Sequence, residues 1–192
     1  MATNEQRSAL TRARLIGEAR LLFARDGFAA TSTDAILEGA GVRRGALYHH
    51  FADKAALFEA VCQQLVEQAL PAVEAAAAKS RGPRDALVRG SIAWVAFVTR
   101  DDVRRILLVD APTVLGWQRW QALDDRLSTE SLKAGIVEAI AAGEIAFEGG
   151  ADWLVTLANG ALNALALRVG NTGAATREWQ RAVRAFWAAL VP

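Results

Sequence analysis

The sequence predicts an all-α protein: a head of three short helices carrying a helix-turn-helix, followed by a bundle of longer helices. Three observations carry that expectation. Apolar residues recur three and four positions apart through most of the chain, the period of a helix with one buried face. Hydrophobic residues make up 53% of the 192, led by Leu and Ala, which are strong helix formers. Only four prolines and fifteen glycines punctuate this material.

The first helix is expected over about Thr11 to Asp26, with Leu15, Ala19, Leu22 and Phe23 inward and Gly27 as a stop. "TSTD" supplies candidate caps, with Asp34 three residues after Thr31. A short helix follows from about Thr33 to Gly39 with Ile36 and Leu37 apolar, and a third from about Arg43 to His49 with Leu47 inward. Asp53 caps a fourth helix through Leu57, Val61, Leu65 and Ala69, which Pro71 interrupts or kinks. "KSRGPRD" is the clearest linker. A fifth helix runs from about Arg84 to Thr99, and Asp101 and Asp102 open a turn through Leu107 and Leu108. "DAPTVLGW" breaks regularity before a long helix from about Trp117 to Ala142. "GEIAFEGGAD" reads as a loop with Asp152 as a cap. The next helix carries Trp153, Leu154, Leu157, Ala158, Ala161, Leu162 and Leu165; the last has Val183, Phe186, Trp187 and Leu190 on one side. The organisation is a head, residues 1–55, and a helical body, residues 56–192. The last two helices carry more apolar surface, and more Ala and Gly, than a solvent-facing pair needs. That is either ordinary core or an interface in which two copies form a four-helix bundle.

Charge and composition narrow the function. Net charge is +1, with eight Lys and Arg against six Asp and Glu in residues 1–55, a mildly basic head. A single cysteine, Cys62, excludes an internal disulfide and fits a reducing compartment; beside Val61 and Leu65 it reads as packing. The polar start "MATNEQRSALTRAR" lacks a signal-peptide core, and no apolar run is long enough for a bilayer, so the expected location is cytoplasmic. The two histidines, His49 and His50, both lie in the head, which denies the body a His-based triad or metal site. No phosphate loop follows Gly39, Gly41 and Gly45. The expectation is no enzyme, no metal and no cofactor.

The information-bearing stretch is "TSTDAILEGAGVRRGALYHHF", residues 31–51. Two short helices joined by a tight turn make a helix-turn-helix, with Ile36, Ala40, Val42 and Leu47 at their contact and Gly41 where positive φ is needed. Arg43 and Arg44 then stand at the start of the second helix, able to reach phosphates or base edges. Core filler is the lesser alternative for Tyr48, and a helix cap is an equal and compatible reading of Thr33.

From Thr11 to Val61 the chain resembles the DNA-binding head of the tetracycline-repressor family of bacterial transcription regulators. The shared signature is a first helix ending "LF…GF", a Thr-Ser/Thr start, an Ile, "AGV", "G-LY-HF" and "K--L". The remainder resembles the family's variable ligand-binding and dimerisation portion in length and helical character. The resemblance implies that Thr33, Tyr48 and Lys54 meet backbone phosphate and that Arg43, Arg44 and Ala46 present the face of the recognition helix. It also implies that His49 follows on the groove side and that Gly45 lets the backbone near DNA. Phe51 is expected in the core. Two departures stand out: Arg43 replaces a small capping residue, and Leu37 replaces an alanine.

The family resemblance implies a homodimeric, ligand-responsive repressor on a palindromic double-stranded operator, joined through its last two helices and answering to a small, mostly apolar effector. Candidate pocket residues are Trp94, Phe97, Leu107, Leu108, Leu115, Trp117 and Trp120, with Asp110 as polar neighbour. Two other readings stand beside it: a helical small-molecule-binding or scaffold protein that has lost operator binding, and an enzyme whose turnover depends on Asp110.

Overall fold

The computed structural model describes residues 3–124 and 130–191, apart from the side chains of Trp117, Gln121 and Asp124. Ten α-helices and one π-helical turn account for nearly all of it, with no strand among the described residues. Helix α1, Asn4–Asp26, starts seven residues before its expected start. Thr3 and Gln6 form a reciprocal capping box there, Gln6 N donating to Thr3 Oγ1 at 3.2 Å and Thr3 N to Gln6 Oε1 at 2.9 Å.

Helix α2 spans Thr33–Ala40 and α3 spans Arg44–His50. The cap of α2 is Ser32, whose hydroxyl accepts from Ala35 N at 3.1 Å. Thr31 and Asp34 do not form the expected pair: Thr31 is buried and donates to Gly27 O at 2.8 Å, while Asp34 reaches across to Arg44. Gly41 takes the left-handed conformation, φ 63°, that ends α2. Arg43 caps α3 without any side-chain bond. Leu37 is buried, so the larger residue fills the contact with its neighbours rather than facing solvent.

Helix α4, Lys54–Ala77, joins head to body; Ala56 N donates to Asp53 Oδ1 at 2.7 Å at its start. Pro71 lies inside α4 without ending it. Both Pro71 and Glu67, whose carbonyl lies one helical bond before the proline, face solvent, so water can meet the orphaned oxygen. Phe23, Phe28 and Phe58 stack in a cluster with ring centroids 5.1–5.7 Å apart. Edge-on aromatic contacts of this kind add about 0.5–1.5 kcal/mol each beyond burial. Phe58 belongs to α4, so the core of the head continues past residue 55.

In the body, α5 (Pro83–Val98) packs against α4, α8, α9 and α10. Proline at the first position of α5 suits a helix start. Next come α6, Asp101–Arg104, and a π-helical turn, Arg105–Asp110. The helix expected from Trp117 to Ala142 is helical wherever it is described: α7 covers Ala111–Asp124, broken at Gly116 (φ 73°, ψ 161°) just before the expected start, and α8 covers Glu130–Ala141. Residues 125–129 of that expected helix lie outside the described residues. Helix α9, Ala151–Thr172, is capped by Gly150, not Asp152, which sits in the first turn and pairs with Lys133 at 2.5 Å. Helix α10, Thr176–Ala188, buries Trp179, Val183 and Trp187, and Leu190 lies past its end. Two buried indoles of the body are paired: Trp94 Nε1 donates to Asn163 Oδ1 at 3.1 Å and Trp187 Nε1 to Ser91 Oγ at 3.0 Å.

Candidate nucleic-acid interface and the cavities of the body

Helix α3 is too short to stand alone, and its one fully buried residue, Leu47, fixes which face looks outward. Arg44, Gly45, Tyr48 and His49 occupy the outer face at the one-and-four spacing of a helix, and all are exposed. Tyr48 is 51% exposed, which removes the reading of it as core filler. Arg43 projects just before them and is also exposed, while Ala46 and His50 are half-buried. Partial burial, then the positive charges of His49 and Arg12, holds the His50 imidazolium below its ordinary pKa. Arg12 also stacks over Phe51, 5.4 Å from the ring centroid.

Beside α3 lies an open depression lined by residues 29–33, Tyr48, Asp53 and Lys54. Thr33, Tyr48 and Lys54, separated by up to twenty-one positions, meet there. The starts of α2 and α4 both open onto it, so backbone N–H groups and the positive ends of two helices converge. The Asp53 carboxylate opposes that charge but is engaged with the Ala56 N–H. Such a cradle suits an anion of phosphate size.

Two residues have partners that the sequence did not disclose. Lys54 Nζ donates to Phe28 O at 2.9 Å and Thr31 O at 2.8 Å and lies 4.2 Å from the Phe28 ring centroid. It therefore holds the turn before α2 in place while keeping a third N–H. Arg44 pairs with Asp34 across the two helices, both groups well exposed. An exposed pair of this kind contributes little to stability and separates readily for a competing anion. Ser32 is the cradle residue that sequence reasoning missed. A hydroxyl one position before a helix is a cap signal, but three candidates stood side by side in "TST".

The expected pocket cluster does not come together as one site. Leu107, Leu108, Trp120 and Trp94 line a void of only 20 Å³, where Trp120 Nε1 donates to Leu107 O at 3.2 Å. Leu115 is buried core and Phe97 is half-buried under Arg100, 5.3 Å from its ring centroid. The Trp117 side chain lies outside the described residues. Asp110 lines neither cavity described here: its Oδ2 accepts the Phe28 N–H at 2.9 Å, a bond to the head. A carboxylate committed to a backbone donor at a domain joint is poorly placed for turnover, which corrects the enzyme reading. A larger cavity of 110 Å³ lies elsewhere, between α4, α5, α8 and α9, with Trp94 on its wall.

Arg105, at the other end of the π-helical turn, donates to Arg25 O and Asp26 O, each at 2.8 Å. These are carbonyls at the end of α1, which have no partner within the helix. Arg20 of α1 bonds Asp102 at 3.0 Å. Cys62 is fully buried; burial, then the charges of Glu59 and Asp110, pushes its thiol well above the ordinary value, so it packs as an uncharged group. No group of three or more His, Cys, Asp or Glu among the described residues could hold a metal. No helix among the described residues is long and apolar enough to cross a membrane.

Comparison with known proteins agrees with this architecture. Residues 15–61 match the model of the bacterial regulatory proteins of the tetR family. Residues 84–191 match the tetracyclin repressor-like C-terminal domain. The HTH-type transcriptional regulator UidR of Escherichia coli K12 is 42% identical over 60 residues, 31% of this chain and 31% of UidR. The chain thus spans about a third of the length of that curated relative. The HTH-type transcriptional repressor Rv1474c of Mycobacterium tuberculosis is 29% identical over 136 residues, 68% of each chain. A TetR-family regulator from Pectobacterium atrosepticum superposes with a TM-score of 0.79 at 28% identity, covering 99% of this chain and 98% of that one. RolR, solved with resorcinol, superposes with a TM-score of 0.76 at 21% identity, covering 98% of this chain and 90% of RolR. Both matched models describe a family of regulators rather than enzymes, and with the second spanning more than half the sequence the chain belongs to the tetracycline-repressor family of bacterial regulatory proteins.

Proposed function

We propose that this chain is a homodimeric, ligand-responsive repressor that occupies a palindromic operator. The observation that carries the reading is the convergence of Thr33, Tyr48 and Lys54 on a cradle between two helix starts, beside the exposed face of α3. Phosphate in the cradle would set the register of α3 in the major groove, leaving Arg43 and Arg44 to meet base edges and His49 to flank them. Two heads would sit about 34–36 Å apart, or a multiple of that spacing, on the two half-sites.

Support for the dimer comes from α9. Trp153 is 68% exposed and Leu157 57%, one turn apart, and Gly160, Ala161 and Ala164 continue the same exposed side. Large apolar side chains left in water beside small residues suit close packing of a second copy. The repressor assignment draws on Rv1474c, and the effector on RolR, whose structure holds a small phenol. An effector would shift the population toward a form whose heads no longer match the operator spacing. Selection of bound genomic fragments, followed by a salt titration, tests the reading. Sequence-selective binding that weakens steeply with salt is expected. Absence of any DNA affinity at low salt would defeat it and favour a small-molecule-binding protein that has lost its operator.

A further inference from the structure

The 110 Å³ cavity between α4, α5, α8 and α9 is kept open by small residues on α5, among them Ala86 and Gly90, while Gly135 on α8 makes way for the Leu87 side chain. Gly90 is the telling one. A Cβ there would stand 3.5 Å from Val73 Cγ1, an ordinary contact, and the backbone does not have positive φ. Neither conformation nor close helix approach requires glycine at this position. Glycine weakens a helix interior relative to alanine, and that cost has one visible return, which is room in the cavity.

The chemistry of the wall limits what can enter. Its polar residues are Ser91, Ser131, Asn159 and the Trp94 indole, with no Asp, Glu, Lys, Arg or His, so a charged ligand would lie there without a counter-charge. The volume is smaller than the roughly 150 Å³ that admits benzene in an engineered apolar cavity, which caps the occupant near one small ring. Ser91 adds direction. It is 4% exposed, and its oxygen accepts the Trp187 indole N–H at 3.0 Å. No described residue accepts the Ser91 hydroxyl proton, and the residue lines the cavity. A buried donor without an acceptor favours any ligand that brings one. Trp94 cannot serve in this way, because its N–H is already given to Asn163.

We propose that this cavity is the effector site and that it takes a neutral molecule of one small ring bearing a hydrogen-bond-accepting oxygen, received by Ser91. The proposal rests on the ligand-responsive reading above. Calorimetry on the full chain with cyclopentanone, cyclopentane and cyclopentanecarboxylate tests it. Saturable binding of the ketone is expected, up to about tenfold tighter than the hydrocarbon, with no binding of the carboxylate. Ser91→Ala would strand the Trp187 N–H, so the diagnostic variants fill the cavity from α5. Ala86→Leu abolishes ketone binding. Gly90→Ala weakens it about tenfold or more while raising the thermal midpoint, which loss of folding would not do.

Absence of saturable ketone binding at millimolar concentration overturns the proposal. So does binding unchanged in both variants, or equal binding of the carboxylate. Operator affinity measured on the same preparations separates the two readings. A protein that binds operator but no probe overturns the cavity assignment alone. Ketone binding without DNA affinity keeps the small-molecule site and overturns the regulator. Ketone that binds and leaves operator affinity unchanged overturns the effector role.

Discussion

Single residues at the joint and the cradle act through backbone groups more than through each other. Gly27 has φ 83° and ψ 166°, a region closed to side chains, and a Cβ there would come within 2.6 Å of the Arg105 guanidinium. Gly27→Ala should therefore cost about 1–3 kcal/mol from backbone strain, with the displaced Arg105 adding to it; the urea midpoint at unchanged m-value measures the loss. Tyr48 and Lys54 share the cradle but differ in what else they do. Tyr48→Phe removes an exposed hydroxyl, so operator affinity should fall severalfold with no change in thermal midpoint. Lys54→Met should lower both, because the ammonium serves two carbonyls; the stability part is about 1–3 kcal/mol by urea unfolding. Equal stability of both variants would mean the carbonyls of Phe28 and Thr31 find water instead.

The π-helical turn explains how two residues five apart face one way. In an α-helix they would lie about 140° apart around the axis, whereas π winding stacks positions five apart. Arg105 and Asp110 can therefore both reach the end of α1 and the turn after it. Asp110→Ala should leave the Phe28 N–H without its acceptor and speed exchange of that amide by about tenfold or more, while Asp110→Asn retains most protection. A second bond across the joint gives it a pH dependence. Burial disfavours the charge on Asp102, but the Arg20 hydrogen bond, the charges of Arg100 and Arg20 and the Val103 N–H outweigh it, and the carboxyl is held below its ordinary pKa. A depressed carboxylate contributes stability above the ordinary value, near pH 4, and loses it as pH falls through the lowered one. Acid unfolding of Arg20→Ala should lack that component. None of this was legible in the sequence, because a π turn leaves no periodic signature and Asp110 looked like a loop carboxylate. What the sequence did show was the order of the head: the stops at Gly27 and Gly41, the cap at Asp53 and the inward Leu47 follow from local chemistry alone. Boundaries failed where the deciding contact was distant or duplicated, as at Ser32 among three hydroxyls, whereas the break at Gly116 falls inside the stretch "DAPTVLGW" that the sequence marked as irregular. The larger cavity escaped notice for a related reason. Aromatic residues drew attention to Trp94 and Trp120, which meet at the smaller void, while the larger one lies where side chains are small, at Ala86 and Gly90.

At the scale of the molecule, α9 offers the surface on which the proposed dimer depends. Trp153→Glu places a carboxylate where the proposed interface has its largest apolar contact, so sedimentation should show monomer with helix content unchanged. Operator affinity should then fall with it, since each half-site would be held by one head alone. The joint between head and body has a different consequence. Arg105 and Asp110 grip the carbonyls of Arg25 and Asp26 and the N–H of Phe28, which are groups that every polypeptide carries whatever its side chains. Apart from the glycine at 27, the grip is blind to the letters of the head. Recognition residues on α3 can thus be exchanged in the course of descent without touching this grip, whereas a borrowed head must also bring Arg20 for Asp102 and the phenylalanines that pack on Phe58.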